Sequence, residues 1–303
     1  MRVFHVADYP LPLPTQHRFP GEKYALLLSA LAADATLCGL ELVAASPVDD
    51  AQLLSAHAAP YVHSIRDGAA APAVMREIGF PWSAELYRRS RASVGTTLAA
   101  ARDALDSGLS GALAGGTHHV HRERGSGFCV FNDAAVTVGV LRAEGLIERL
   151  AIIDLDVHQG DGNASLIGGD PDTYILDIYG EKNFPFRKVL PLHHVPLPPR
   201  TGDDEYLEAV GSSLPRAIDA GLGLVIYNAG VDPLGSDRLG TLDLTMAGLA
   251  ARDDLVLAAC RRAGVPLAIT LGGGYAAPIH DSVRAYQQTY RRAFAASTVG
   301  EVR

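Results

Sequence analysis

From Leu150 to Val157 the chain runs Leu-Ala-Ile-Ile-Asp-Leu-Asp-Val, an apolar strand whose far end carries two carboxylates and then the imidazole of His158. Alternate residues of an extended chain share a face. Asp154, Asp156 and His158 therefore project one way while Ile153, Leu155 and Val157 project the other. The apolar side needs a core, and the acidic side needs a cation or a hydrogen-bonded partner, because an unpaired buried carboxylate is costly. A lone pair of acids at a strand end more often caps the following helix, so this segment by itself leaves both readings open.

Strand patterns cover Leu150 to Val157, Thr173 to Ile178, Leu222 to Asn228 and Leu267 to Leu271, each bounded by Gly, Asp or Pro. Helical patterns lie between them at Asn132 to Glu144, Glu205 to Ala220 and Ala247 to Ala263. This alternation predicts an α/β fold with right-handed crossovers and a mainly parallel sheet covered by helices on both faces. Upstream, Met1 to Val6 reads as a short strand, and Glu22 to Ala33 and Val94 to Ser107 read as helices, the second Ala-rich and expected to pack closely. Prolines crowd Pro10 to Pro20 and Pro185 to Pro199, long loops of the kind that rim a site. With no internal repeat and no linker-like shift in composition, one domain over 1–303 is expected.

Hydrophobic content of 48% and charged content of 20% suit a cytoplasmic α/β protein. No apolar run reaches the ~18 residues that span a bilayer, and the first residues lack the apolar core of a signal peptide. Cys38, Cys129 and Cys260 are widely spaced and odd in number, which argues against a disulfide framework or a thiolate zinc site. A net charge of −8 disfavours direct nucleic-acid binding. The nearest approach to a basic cluster, Arg88, Arg89 and Arg91, reads as a solvated helix face.

Ligands of open parallel sheets sit beyond the carboxyl ends of the strands, and polar residues gather there. Asp156, His158 and Asp232 offer two oxygens and one nitrogen to a metal while leaving positions for water and substrate. Zinc fits that set best, and iron(II), cobalt or manganese could use the same ligands. Adjacent His118 and His119 cannot both face one way on an extended segment, so one pairing with each of the spare acids, Asp154 and Asp161, is expected; such pairing fixes a tautomer and raises basicity. Tyr275, after three glycines, could aim its phenol at a polarised carbonyl. Gly127-Phe128 and Phe184-Pro185 could wall a narrow apolar channel. His193 and His194 receive no role, and Cys129 reads as core.

Taken in order, Gly115-Gly116-Thr117-His118-His119, Gly127-Phe128-Cys129-Val130-Phe131-Asn132-Asp133, Asp154 to Gly162, Asn228-Ala229-Gly230-Val231-Asp232 and Leu271 to Tyr275 resemble the zinc-dependent histone deacetylase family in residues, order and spacing. The Asp154-Leu155-Asp156-Val157-His158-Gln159-Gly160 and Gly235-Ser236-Asp237-Arg238-Leu239-Gly240 runs are most similar to class IV and its bacterial relatives. The resemblance implies a three-layer arginase-deacetylase fold built on a single parallel sheet. It implies one catalytic Zn2+ on Asp156, His158 and Asp232, and His119 as general base with Asp161 as its carboxylate. It further implies His118 paired with Asp154, Tyr275 as the transition-state tyrosine, and an acyl-lysine tunnel lined by Gly127, Phe128, Phe184, Leu239 and Gly273. A structural K+ near Asp154 is implied as well, at a place where class I members carry a serine and this chain has Asp177. Where the animal class IV enzyme has Asn, this chain has Asp161, which retains the histidine–carboxylate pair.

The chemistry so implied is metal-assisted removal of acetyl or longer fatty acyl groups from lysine in proteins or peptides. Acetylated polyamines or other small amides are the alternative substrates. Two further readings share less with the sequence: a ureohydrolase with two manganese ions, which needs more carboxylates, and a non-catalytic protein that binds an acyl or amine ligand.

Overall fold

The computed structural model describes residues 1–189 and 193–298; part of the Pro185 to Pro199 loop and the last five residues lie outside them. In chain order the elements are β1 (Arg2–His5), α1 (Lys23–Ala32), a 3-10 turn (Ala35–Leu37), β2 (Glu41–Ala44), α2 (Asp50–Leu53), α3 (Ala59–Arg66), α4 (Pro72–Ile78), α5 (Ala84–Ser107), β3 (Leu109–Ala112) and α6 (Asp133–Ala143). There follow β4 (Leu150–Asp154), α7 (Asp161–Ile167), β5 (Thr173–Gly180), β6 (His193–Leu197), α8 (Asp203–Ala217), β7 (Leu224–Asn228), α9 (Met246–Ala263), β8 (Leu267–Thr270) and α10 (Ile279–Thr298). The strands form one eight-stranded sheet, in the order β2-β1-β3-β8-β7-β4-β5-β6. Every pairing is parallel.

Parallel strands need crossovers, and the crossovers cover both faces. Ile153, Val225, Tyr227 and Ile269 pack on one side with Tyr206, Val210 and Leu214 of α8 and Val256 of α9. Ile152, Leu224, Ile226 and Ala268 pack on the other with Val94 and Leu98 of α5 and Val136 and Leu141 of α6. β4 is buried at every position. The result is the expected three-layer α/β fold.

Three differences from the sequence reading have physical causes. β4 ends at Asp154, not Val157, because carboxylates beyond that point take over the backbone donors from the sheet. Asp154 Oδ1 accepts from Asp156 N at 3.3 Å, Asp232 Oδ1 from Val157 N at 2.9 Å, and Asp156 Oδ1 from His158 N at 2.9 Å. α5 begins ten residues before Val94, capped by the Ser83 hydroxyl accepting from Leu86 N at 3.0 Å. Its first turns looked solvated from the sequence, yet Arg89 is buried with its guanidinium 4.4 Å from the Tyr24 ring centre. α10 had no counterpart in the sequence reading, and neither did the edge strands β2 and β6. Close packing of α5 is real: a Cβ at Gly95 would lie 2.0 Å from the Ser46 carbonyl oxygen.

Candidate active site

β3, β8, β7 and β4 are the four consecutive central strands, and the loops leaving their carboxyl ends carry the polar motifs. The loop after β3 brings His118 and His119, the loop after β4 brings Asp156 and His158, the loop after β7 brings Asp232, and the loop after β8 brings Tyr275. Four stretches far apart in sequence thus meet at one edge of the sheet.

His118 and His119 occupy a turn, not an extended segment, so their rings lie side by side with centroids 4.2 Å apart. The expectation that they must face opposite ways is corrected by this turn. The pairing with separate acids stands: His118 Nδ1 lies 2.8 Å from Asp154 Oδ2, and His119 Nδ1 lies 2.7 Å from Asp161 Oδ1. An Nδ1–H donated to each carboxylate leaves Nε2 as the free nitrogen. Asp133, at the start of α6, fastens the preceding loop by accepting from Gly116 N at 2.9 Å and from Thr117 N at 2.7 Å. Asn132 caps the same helix, accepting from Ala135 N at 2.8 Å. Asn228, the last residue of β7, donates to Asp154 Oδ1 at 2.8 Å.

Asp156, His158 and Asp232 present ligand atoms that all lie within 4.8 Å of one another. His158 Nδ1 is 3.0 Å from both Asp156 Oδ1 and Asp232 Oδ2. This donor set fits a divalent cation with open positions. Gly273 makes room for it, since a Cβ there would sit 1.9 Å from Asp232 Oδ2; its N–H donates to Asp156 Oδ2 at 2.6 Å. Behind the site, the Asp177 carboxyl on β5 is paired in register with Asp154. Its Oδ2 accepts from Gly160 N at 3.0 Å, whereas Oδ1 is buried with no hydrogen-bond partner. An orphaned carboxylate oxygen beside a second buried acid is a natural seat for a monovalent cation.

The electrostatics separate the two histidines. Burial opposes charge on His118, but Asp154 and Asp156 outweigh it and hold the ring well above its ordinary value. Burial and the neighbouring His118 push His119 down to about 4 despite Asp161. Burial, reinforced by Asp156 and Asp232, holds the Tyr275 phenol well above its usual range, so it stays protonated as a donor. Burial likewise drives the Cys129 thiol up, away from reactivity, in keeping with a core role.

A cavity of about 650 Å³ opens onto this edge, lined by His119, Gly127, Phe128, His158, Phe184, Leu239 and Tyr275 among others. Phe184 meets His119 edge to face at 4.8 Å, and Phe128 leans on Tyr275 with centroids 6.2 Å apart. Gly273 borders a smaller recess of about 40 Å³ that shares His119, Gly127, Phe128, His158 and Tyr275 with the channel. His193 and His194 lie on β6, where His193 stacks on Tyr174 and His194 contacts the Tyr179 hydroxyl, away from the site.

Sequence reasoning missed four residues that build the site through backbone or relayed contacts. His121 Nε2 lies 2.9 Å from Asp161 Oδ2, so one carboxylate serves two imidazoles. Asp237 accepts from Tyr275 N at 2.6 Å and from Leu239 N and Gly240 N at 2.8 and 3.0 Å, tying the tyrosine to the channel lip. The Tyr286 hydroxyl, from α10, reaches the carbonyls of Leu271, Gly272 and Gly273 at 2.7, 3.0 and 2.5 Å and pins the glycine turn. The fourth is Asp133, which clamps the histidine loop through Gly116 N and Thr117 N. A carboxylate three residues after a histidine, as Asp161 follows His158, is visible in a sequence; contacts across 38 residues, as from Asp237 to Tyr275, are not.

Residues 17–290 match the model of the histone deacetylase domain. The chain is 32% identical to histone deacetylase 2 of Arabidopsis thaliana over 86% of its own length and 70% of that protein's. It is also 40% identical to an uncharacterised protein of Picosynechococcus, over 96% of this chain and 97% of that one. Among solved structures, a histone deacetylase homologue from Aquifex aeolicus superposes with a TM-score of 0.81 at 23% identity, covering 97% of this chain and 84% of that one, and so shares the fold. With the family model matching most of its length, the chain belongs to the histone deacetylase family, whose members are amide-hydrolysing enzymes.

Proposed function

We propose that the enzyme removes acyl groups from the side-chain amine of lysine in peptides or proteins, using Zn2+ held by Asp156, His158 and Asp232. The observation that carries this reading is the meeting of that donor set, the His119–Asp161 pair and Tyr275 at the closed end of a largely apolar channel. Zinc held there supplies Lewis acidity, to an acyl oxygen and to water alike. Fe2+ or Co2+ suits the same donors. K+ in the seat beside Asp154 and Asp177 would relieve the orphaned oxygen and the repulsion between the two acids.

His119 is the general base: its Nδ1 is committed to Asp161, and its free Nε2 takes the proton of the attacking water. Asp161 steadies the imidazolium that results. Tyr275 donates its hydroxyl to the oxygen on which negative charge develops. His118, tied to Asp154, stands next to His119, and either imidazole can return a proton to the departing amine. Phe128 and Phe184 hold the aliphatic stem of the lysine and exclude water from the reacting end.

The similarity of the Gly235 to Gly240 run to class IV relatives supports acceptance of long fatty acyl chains as well as acetyl. A histone deacetylase-like amidohydrolase of Pseudomonas aeruginosa, 27% identical over 87% of this chain, is named for amide hydrolysis alone, and in the second reading the substrate is a small amide such as an acetylated polyamine. A panel of lysine peptides bearing acetyl, octanoyl and myristoyl groups, together with acetylated polyamines, decides among these. Hydrolysis of acyl-lysine peptides that disappears in His119→Ala is the expected result. Turnover confined to polyamines would replace the lysine reading with the second one.

A further inference from the structure

The mouth of the channel differs in sign from the molecule that surrounds it. Although the chain carries a net charge of −8, the cavity mouth is lined by Arg18, Arg76, Lys182 and Arg238 against one acid, Glu77. These cations come from four separate segments: the Pro10 to Pro20 loop, α4, the loop after β5 and the loop after β7. All four are exposed. Glu77 faces Arg124 at 3.8 Å, and Lys182 has Glu181 at 3.5 Å. Among the described residues neither Arg18 nor Arg76 forms an ion pair, and Arg238 donates only to the Tyr275 carbonyl, at 3.2 Å. Beside the cations stand two exposed apolar side chains, Phe186 at 87% exposure and Leu239 at 43%. Like charges drawn together from four segments, Arg18 and Arg76 among them without an ion pair, repel one another, and an anionic ligand at the mouth would relieve that repulsion.

Resting on the acyl-amine reading above, we infer that the mouth selects acyl-lysine segments flanked by acidic residues and rejects polycationic amides, basic peptide tails and polyamines alike. A carboxylate one or two residues from the acyl-lysine would meet Arg76 or Arg18 while the lysine stem occupies the channel. Exposed pairs are individually weak, so the set acting together is expected to give a preference of about ten-fold in kcat/KM, strongest at low salt.

The test compares three acetyl-lysine peptides, identical except for Asp and Glu, Ser and Gln, or Lys and Arg at the flanking positions, and includes acetylated spermidine. Each rate is divided by that of the neutral peptide in the same metal-loaded preparation. The acidic peptide should lead the basic one by about ten-fold, with the gap closing in about 0.5 M NaCl as screening shortens. The order should reverse in the Arg18→Glu, Arg76→Glu double variant. Equal rates on acidic and basic peptides, or acetylated spermidine as the preferred substrate, would overturn the inference while leaving the amidohydrolase reading in place. No turnover of any substrate, the neutral peptide included, would overturn both.

Discussion

Tyr275 and His57 show how single side chains divide the labour between chemistry and scaffold. Tyr275 is held from behind by Asp237 through its backbone N–H, so removing its hydroxyl leaves the fold untouched. Tyr275→Phe should lower kcat by about 10²–10³ with an unchanged melting temperature, the loss typical of one oxyanion donor. Near-normal turnover in a steady-state assay would remove the tyrosine from the mechanism. His57 is purely structural: its Nδ1 faces the His121 carbonyl at 3.1 Å and its Nε2 accepts from Asn132 N at 2.9 Å, which fixes a neutral ring. Burial lowers it from 6.5 to about 4, so the unfolded chain binds the proton more readily than the folded one between those values. Its contribution is full above pH 6.5 and is lost as pH falls toward about 4, a swing of up to about 3 kcal/mol. Urea unfolding of His57→Gln across that window should show a shallower acid slope than the parent protein; parallel slopes would refute the assignment.

Whole elements differ in how plainly the sequence announces them. β4, β5, β7 and β8 were legible because inner parallel strands are apolar on both faces and are bounded by Gly, Asp or Pro, and α6 and α9 because helical patterns run between strands; Asn132 and Thr245 cap those two helices. β2 and β6 were not, since both are edge strands with half-buried, mixed side chains. The first ten residues of α5 and all of α10 hid their buried faces among Arg, Tyr and Gln. In the site, the spacing of Asp154, Asp156 and His158 was legible, as was a pairing of the two histidines with Asp154 and Asp161, while which histidine takes which acid followed from a family resemblance. His121, Asp237 and Tyr286 were not legible, because each acts on a partner that only the folded topology brings near. The tight seat of α5 offers an element-scale test. Gly95→Ala drives a methyl into the Ser46 carbonyl and should destabilise by about 1–3 kcal/mol in chemical denaturation; an unchanged midpoint would show that the β2–α2 loop yields freely.

At the scale of the molecule, the sheet order explains why one edge carries all the chemistry: four adjacent central strands each end in a loop that delivers part of the site. Both faces are covered by helices, which leaves the carboxyl edge as the place where polar loops converge over the core. Among the described residues no helix is long and apolar enough to cross a membrane, and only the Asp156–His158–Asp232 set brings three candidate ligands together. Under the proposed function, the Asp156–His158–Asp232 set holds the one metal that acyl-lysine hydrolysis requires. The most direct measurement strips the protein with a chelator, returns zinc in steps, and follows bound metal and acetyl-lysine peptide turnover together. Activity that vanishes on stripping and returns in full at one bound zinc per chain is the predicted result. Activity that survives metal removal, or that returns only with two bound manganese ions per chain, would contradict it.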